Sequence, residues 1–162
     1  MGVSMIIKLD LKKFLISLLI PLAVGGISGF ITRNAMNIYE QIKSPPLAPP
    51  SWVFPVVWSI LYVLMGVSLY LIWNSGAAYQ DKRRAIILFA LQLAFNFIWS
   101  PIFFISKNFF ASFAVLVIIW IFTLLMIISF YRISKPAGLL QIPYLIWLTF
   151  AGYLNFAIYL LN

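Results

Sequence analysis

With three carboxylates, no histidine and no cysteine, this chain lacks the usual actors of catalysis. General acid–base work and Ser-His-Asp chemistry need a side chain that exchanges protons near neutral pH, and Asp10, Glu40 and Asp81 all lie outside the deep apolar runs. The missing cysteines remove a thiol nucleophile, zinc–thiolate sites, iron–sulfur clusters and disulfides. A permanently ligated haem would have only Met or Tyr to hold it, so neither a metal site nor a fixed cofactor is expected. Aromatic rings and amides remain. They offer flat, polarisable faces and hydrogen bonds, which is the chemistry of holding a flat ligand.

Their spacing groups them. Gln92 and Asn96 are four residues apart and Trp99 follows three later, so a helix presents all three from one stripe. Trp147, Ala151 and Asn155 form a second stripe, with Tyr144 one turn earlier, and Trp58, Tyr62 and Gly66 form a third. Convergence of the three predicts an aromatic pocket with two or three amides at one level. The competing reading is structural. Tryptophan and tyrosine gather at membrane interfaces, and a lone amide often bonds a neighbouring helix for about 0.6–2 kcal/mol. That reading is favoured for Trp52, Trp73, Trp120 and Tyr131.

The elements that must position these residues are membrane spans. The composition is 64% hydrophobic, 18% aromatic and 9% charged, that of an integral membrane protein. Crossing a hydrocarbon core of roughly 30 Å takes about 20 apolar residues. Five such runs occur, near 14–32, 53–73, 85–105, 109–131 and 139–161, and predict an all-α bundle of five transmembrane helices in a single domain, 1–162. No stretch is left for a water-soluble core. The basic net charge of +8 sits at span ends, where it meets lipid head groups rather than nucleic acid. The first run reads as a span rather than a signal core, because its apolar stretch continues past the small residues at 23–26 to Ile31.

The longest connection, 33–52, carries prolines 45, 46, 49 and 50 and runs into Trp52, Phe54, Trp58 and Tyr62. Proline fixes φ and lacks an N–H, so 45–50 is predicted to be an extended strap over a mouth, with Pro55 in the first turn of the helix that follows. The third connection, 106–108, barely turns, which makes spans three and four antiparallel neighbours. Pro136 and Gly138 are expected to end one helix and start the next. Lys8, Lys12, Lys13, Lys82, Arg83, Arg84, Arg132 and Lys135 fall on one side; Arg33, Lys43 and Lys107 fall on the other. The positive-inside rule then puts the N-terminus in the cytoplasm and the strap and C-terminus outside. The short N-terminus without a mitochondrial-type presequence favours a bacterial plasma membrane.

Taken together, Pro-Pro-x-x-x-Pro with Trp52-Val-Phe, Trp58-x-x-Leu-Tyr62, Gln92-Leu-Ala-Phe-Asn96-Phe-Ile-Trp99-Ser, Pro143-Tyr144-Leu-Ile-Trp147 and Tyr153-Leu-Asn155 resemble the translocator protein family, also called the tryptophan-rich sensory protein or peripheral benzodiazepine receptor family. The resemblance covers nearly the whole chain. It implies a five-helix bundle, commonly dimeric, with a pocket beneath the first loop for porphyrins and other flat hydrophobic ligands. It also implies slow light- and oxygen-dependent porphyrin breakdown, with Trp58 and Trp147 as candidate electron donors. Trp52, Tyr62, Gln92, Asn96, Trp99, Tyr144 and Ala151 complete the expected ligand contacts, and propionates would reach Arg33 or Lys43. Two departures stand out. Val115 occupies a position where many relatives carry aspartate, and the basic residue of the family's C-terminal sterol motif is absent after Tyr159. The alternatives are a small transporter of hydrophobic or anionic metabolites and a non-catalytic regulatory subunit. Close helix approach is expected at Gly25/Gly29 and Ala90/Ala94, the latter being the favoured dimer face.

Overall fold

The computed structural model describes residues 9–162; Lys8, counted above among the cytoplasmic charges, lies outside them. The described residues are helical and contain no strand. Five stretches are long and apolar enough to cross a membrane: Leu11–Thr32, Val53–Trp73, Tyr79–Ile105, Phe109–Ile133 and Lys135–Leu161. The protein is an all-α, five-span membrane protein.

Helix α1 (Leu11–Thr32) begins where Asp10 caps it, its carboxylate accepting the Lys13 N–H at 3.1 Å. That backbone N–H holds the Asp10 carboxyl below the usual carboxylate range. A four-residue helix, α2 (Ile38–Gln41), follows in the strap, then α3 (Val53–Trp73) and α4 (Tyr79–Ser100). The third span starts six residues earlier than its apolar run, because Lys82 to Arg84 are good helix formers, Asp81 in the first turn suits the helix dipole, and all stay helical outside the apolar stretch. It ends in a π-helical turn, Pro101–Ile105. Pro101 has no N–H for the Phe97 carbonyl, and the Ser28 hydroxyl of α1 reaches that carbonyl instead, at 3.5 Å.

Helix α5 (Phe109–Ile133) lies antiparallel against α4, capped by Asn108 after a tight turn in which Lys107 has φ 53°. Helix α5 stops at Ile133, ahead of Pro136, and Pro136 and Gly138 lie inside a short helix, α6 (Lys135–Leu139), where Pro136 is tolerated in the first turn. Helix α7 (Ile142–Leu161) completes the bundle.

Packing is uneven along the membrane normal. Toward the end opposite the strap, Met65, Ile72, Met126 and Phe130 are fully buried, and Phe89 stacks on Phe130 at 6.3 Å. Helix α1 crosses α3 at Gly66, where an added Cβ would lie 2.7 Å from the Leu18 Cα. Only a glycine permits that approach. On α1 the inward positions are Ser17, Pro21, Ser28 and Thr32, while Leu15, Leu19, Ile27 and Phe30 face outward. This inversion suits a helix at the edge of a membrane bundle, where small residues let backbones meet and large apolar ones face lipid.

The strap departs from the expected extension. Residues 33–37 form turns leading into α2, and 45–48 form a turn closed by the Ala48 N–H to the Pro45 carbonyl at 3.2 Å. Pro46 and Leu47 are its central residues, and Leu47 takes φ 69°. Proline suits the first of these positions; the second demands a positive φ.

Candidate functional site

Beyond the Gly66 crossing the helices part, leaving a cavity of about 640 Å³ at the strap end. This is the size range of small-molecule sites. Helices α1, α3, α4 and α7 and the π turn wall it, and residues 36–40 with 51–52 cover its mouth. Its surface is mostly apolar, with Trp52, Phe54, Trp58, Tyr62, Trp99 and Phe103 as the large flat contributors. Leu22, Gly26 and Gly29 of α1 and Pro55 and Ser59 of α3 line the cavity and are also exposed, so it opens sideways between these helices.

The floor is a hydrogen-bonded layer. Tyr62 donates to Asn96 Oδ1 at 2.9 Å, Asn96 Nδ2 donates to the Tyr144 hydroxyl at 2.9 Å, and Tyr144 donates to Gln92 Oε1 at 2.9 Å. Four side chains from three helices thus share one chain of bonds within the bundle, where an unpaired polar group is costly. Trp58 rests on this layer, stacked on Tyr62 at 5.6 Å and edge-on to Tyr144 at 6.0 Å. On the next wall Trp99 donates its indole N–H to Asn155 Oδ1 at 3.1 Å, and Asn155 Nδ2 donates to the Phe109 carbonyl at 2.8 Å. Trp99 also stacks on Phe103, 5.2 Å away, an alignment set by the π turn.

The amides were expected to face a ligand, but their main bonds go to protein. Their carbonyls accept from Tyr62, Tyr144 and Trp99, fixing the orientation of the aromatic walls. Gln92 and Tyr144 lie behind the cavity surface, both fully buried. Trp52, Trp58, Tyr62, Asn96, Trp99 and Ala151 line it. Trp147 does not. A row of residues four apart drifts by about 40° per step around a helix, so Ala151 and Asn155 face the cavity while Trp147 turns toward α3. There it meets Phe54 at 5.9 Å and lines a separate groove of about 480 Å³ with Leu61, Leu64, Ile146 and Phe150. Its indole nitrogen is buried without a partner.

The strap is tied at several points. Tyr39 donates to the Pro49 carbonyl at 3.1 Å and Tyr153 to the Pro46 carbonyl at 2.8 Å. Asn162 accepts the Lys43 N–H at 3.0 Å and donates to the Lys43 carbonyl at 3.1 Å. The cations expected near the mouth are turned elsewhere: Arg33 sits 3.8 Å above the Phe30 ring, and neither Arg33 nor Lys43 lines the cavity. Glu40 does.

Several wall residues escaped the sequence reading. Gly25 is one: it gives way to the Tyr62 ring, which would collide with any Cβ there. Ser28, Thr32, Phe103 and Phe104 are others. The small and hydroxyl residues at 25, 28, 29 and 32 share a helical face and were open to the same stripe test as the tryptophans. Gly25 serves a contact within the chain and Gly29 faces open space on the cavity wall, whereas Ala90 and Ala94 lie exposed on α4.

Comparison with known proteins gives a consistent result. A profile of the TspO/MBR family matches residues 17–161. The chain is 42% identical over 142 residues to the tryptophan-rich protein TspO of Chlorobaculum tepidum, covering 87% of this chain and 90% of that protein. It is 38% identical over 155 residues to the tryptophan-rich protein TspO of Archaeoglobus fulgidus, covering 95% and 99%. It is 33% identical over 135 residues to the translocator protein of Ovis aries, covering 82% and 80%.

Proposed function

This chain belongs to the TspO/MBR family, and from that premise we propose that it is a membrane-embedded binding protein or sensor for porphyrins and other flat hydrophobic ligands, which it holds in the cavity under the strap. The observation that carries this reading is the wall itself: Trp58, Tyr62 and Trp99 are fixed by stacking and by amides already bonded within the protein, around about 640 Å³. Rigid aromatic faces suit a flat ring at low entropic cost. Binding is favoured over passage because the space ends on the Tyr62, Asn96, Tyr144 and Gln92 layer, beyond which the bundle is packed.

The same site supports slow breakdown of a bound porphyrin under light and dioxygen, with Trp58 as electron donor from the cavity wall and Trp147 as a remoter one behind Phe54. The strap and C-terminus face outward in this reading, with the basic ends of α1, α4 and α5 in the cytoplasm, by the charge asymmetry of the connections. Two copies pair through the exposed Ala90/Ala94 face of α4.

Titrating protoporphyrin IX in the dark into the protein in lipid nanodiscs, followed by tryptophan fluorescence, tests the binding. Saturable quenching is expected from the wild type and none from Gly29→Leu, which fills open space on the cavity wall. Identical, unsaturable quenching in both would mean that the porphyrin only dissolves in lipid, and would overturn the assignment.

A further inference from the structure

The chain has 11 basic and 3 acidic residues, so a charged group at a cavity mouth would be expected to be a base. Instead Glu40 is the one charged side chain among the described residues lining the cavity. It lies in α2, at the roof, and one carboxylate oxygen accepts from the Ser51 hydroxyl at 3.3 Å. The salt bridge found among the described residues joins Lys13 and Asp10 at the opposite end, and among those residues no cation lies within bridging distance of Glu40. Of the two bases on the strap, Arg33 is placed on the Phe30 ring and Lys43 sits where Asn162 clamps the backbone. Both are outside the cavity lining, where water and salt weaken their reach.

Glu40 shares the lining of the mouth with aromatic side chains. Trp52, Tyr39 and Phe54 line the same end of the cavity, with Tyr39 edge-on to Phe54 at 5.0 Å. A carboxylate beside ring faces suits an ammonium, which gains from the opposite charge and from the negative face of the ring. It does not suit a carboxylate tail, which would meet a like charge with no cation to offset it.

We propose that the cavity selects its ligand by the charge of the polar end, preferring a flat apolar body that carries a cationic nitrogen at the Glu40 mouth over the same body ending in carboxylates. This rests on the reading of the cavity as a site for flat hydrophobic ligands, and it narrows that class. Protoporphyrin IX, with two propionates, then binds less tightly than its esterified or amine-tailed forms.

The test uses one ring with three kinds of tail: protoporphyrin IX as the free diacid, as the dimethyl ester, and as the diamide bearing quaternary ammonium ends. Each is titrated into the full chain in phosphatidylcholine nanodiscs, with empty discs subtracted, for wild type, Glu40→Gln and Glu40→Lys. In the wild type the expected affinity order is ammonium, ester, acid. Glu40→Gln should cut the ammonium-over-ester preference by about two- to five-fold, the range for one exposed charge pair. Glu40→Lys should invert the order, and added salt should shrink the wild-type preference.

An ammonium-to-ester ratio that is the same in all three proteins overturns the charge selection while leaving the cavity assignment intact, provided that the ester saturates and Gly29→Leu abolishes its binding. If no probe saturates in the wild type, the cavity reading falls and this inference with it. Residue 40 is exposed, so the variants should fold; an unchanged thermal midpoint checks that they do.

Discussion

The two ends of this bundle are built from the same helices and do opposite things. Away from the strap, all the fully buried residues of α3 fall between Leu61 and Ile72, and the helix presses on α1 at Gly66. Toward the strap, none of Val53 to Ile60 is fully buried, and the gap between α1 and α3 becomes the cavity. Polar residues divide in the same way. In the packed end, Ser68 donates to the Ala137 carbonyl at 3.0 Å and Gln141 donates to Ser68 at 2.7 Å, holding α6 and α7 onto α3. At the boundary, Asn96 holds two tyrosines that form the floor of an open space. In a membrane, where apolar contact alone does not separate helix from lipid, small residues decide where helices touch and amides decide what stays in place where they do not.

The largest expected effect comes from attacking the crossing. Gly66→Leu puts a side chain into the Leu18 backbone and should cost about 1–3 kcal/mol or more, read as a lowered unfolding midpoint in nanodiscs. Gly29→Leu, on the same pair of helices but facing open space, should change stability by less than about 0.5 kcal/mol while removing ligand binding. Equal stability losses in the two variants would erase the distinction between a packed and a hollow end.

The boundary layer comes next. Asn96→Leu removes two bonds, leaving the Tyr62 hydroxyl without a partner and the Tyr144 hydroxyl with Gln92 alone, so a loss of about 1–2 kcal/mol is expected. Porphyrin affinity should fall with it, because Trp58 is held through Tyr62 and Tyr144. A stability loss with unaltered affinity would show that the floor does not position the wall.

Smallest in energy is the contrast between the two tryptophans. Trp58→Phe and Trp147→Phe should each leave dark binding within about 1 kcal/mol of wild type, since an aromatic face is kept. Under light, loss of porphyrin absorbance should slow in Trp58→Phe and change less in Trp147→Phe. Equal rates in all three proteins would remove the photochemical role from both residues.

Much of this was legible in the residues. Apolar run length located all five spans, and 53–73 coincides with α3 because Trp52 and Asn74 bound the helix as well as the apolar run. Elsewhere the two boundaries differ: at Tyr79 a charged turn stays helical, and at Lys135 a short helix forms ahead of the last span. The stripe of Gln92 and Asn96 did turn inward, since period 3.6 fixes which residues share a face. Periodicity does not say which neighbour that face meets. Trp147 and Ala151 sit on one stripe, yet one meets Phe54 and the other the cavity, because a helix that passes two neighbours presents each of them part of a stripe.

What the sequence by itself determined is the chemistry available: a membrane bundle with no catalytic acid, base or thiol in its spans, rich in flat rings and a few amides, in which composition and run length leave no other class. What only the tertiary structure decided is where those groups point. The space under the strap exists because α1 meets α3 at one glycine and parts from it afterwards, and its charge is that of Glu40 because Arg33 sits over the Phe30 ring and Lys43 lies outside the lining. Both depend on contacts between residues tens of positions apart, and the run lengths and periodicities of single segments carry no record of such contacts.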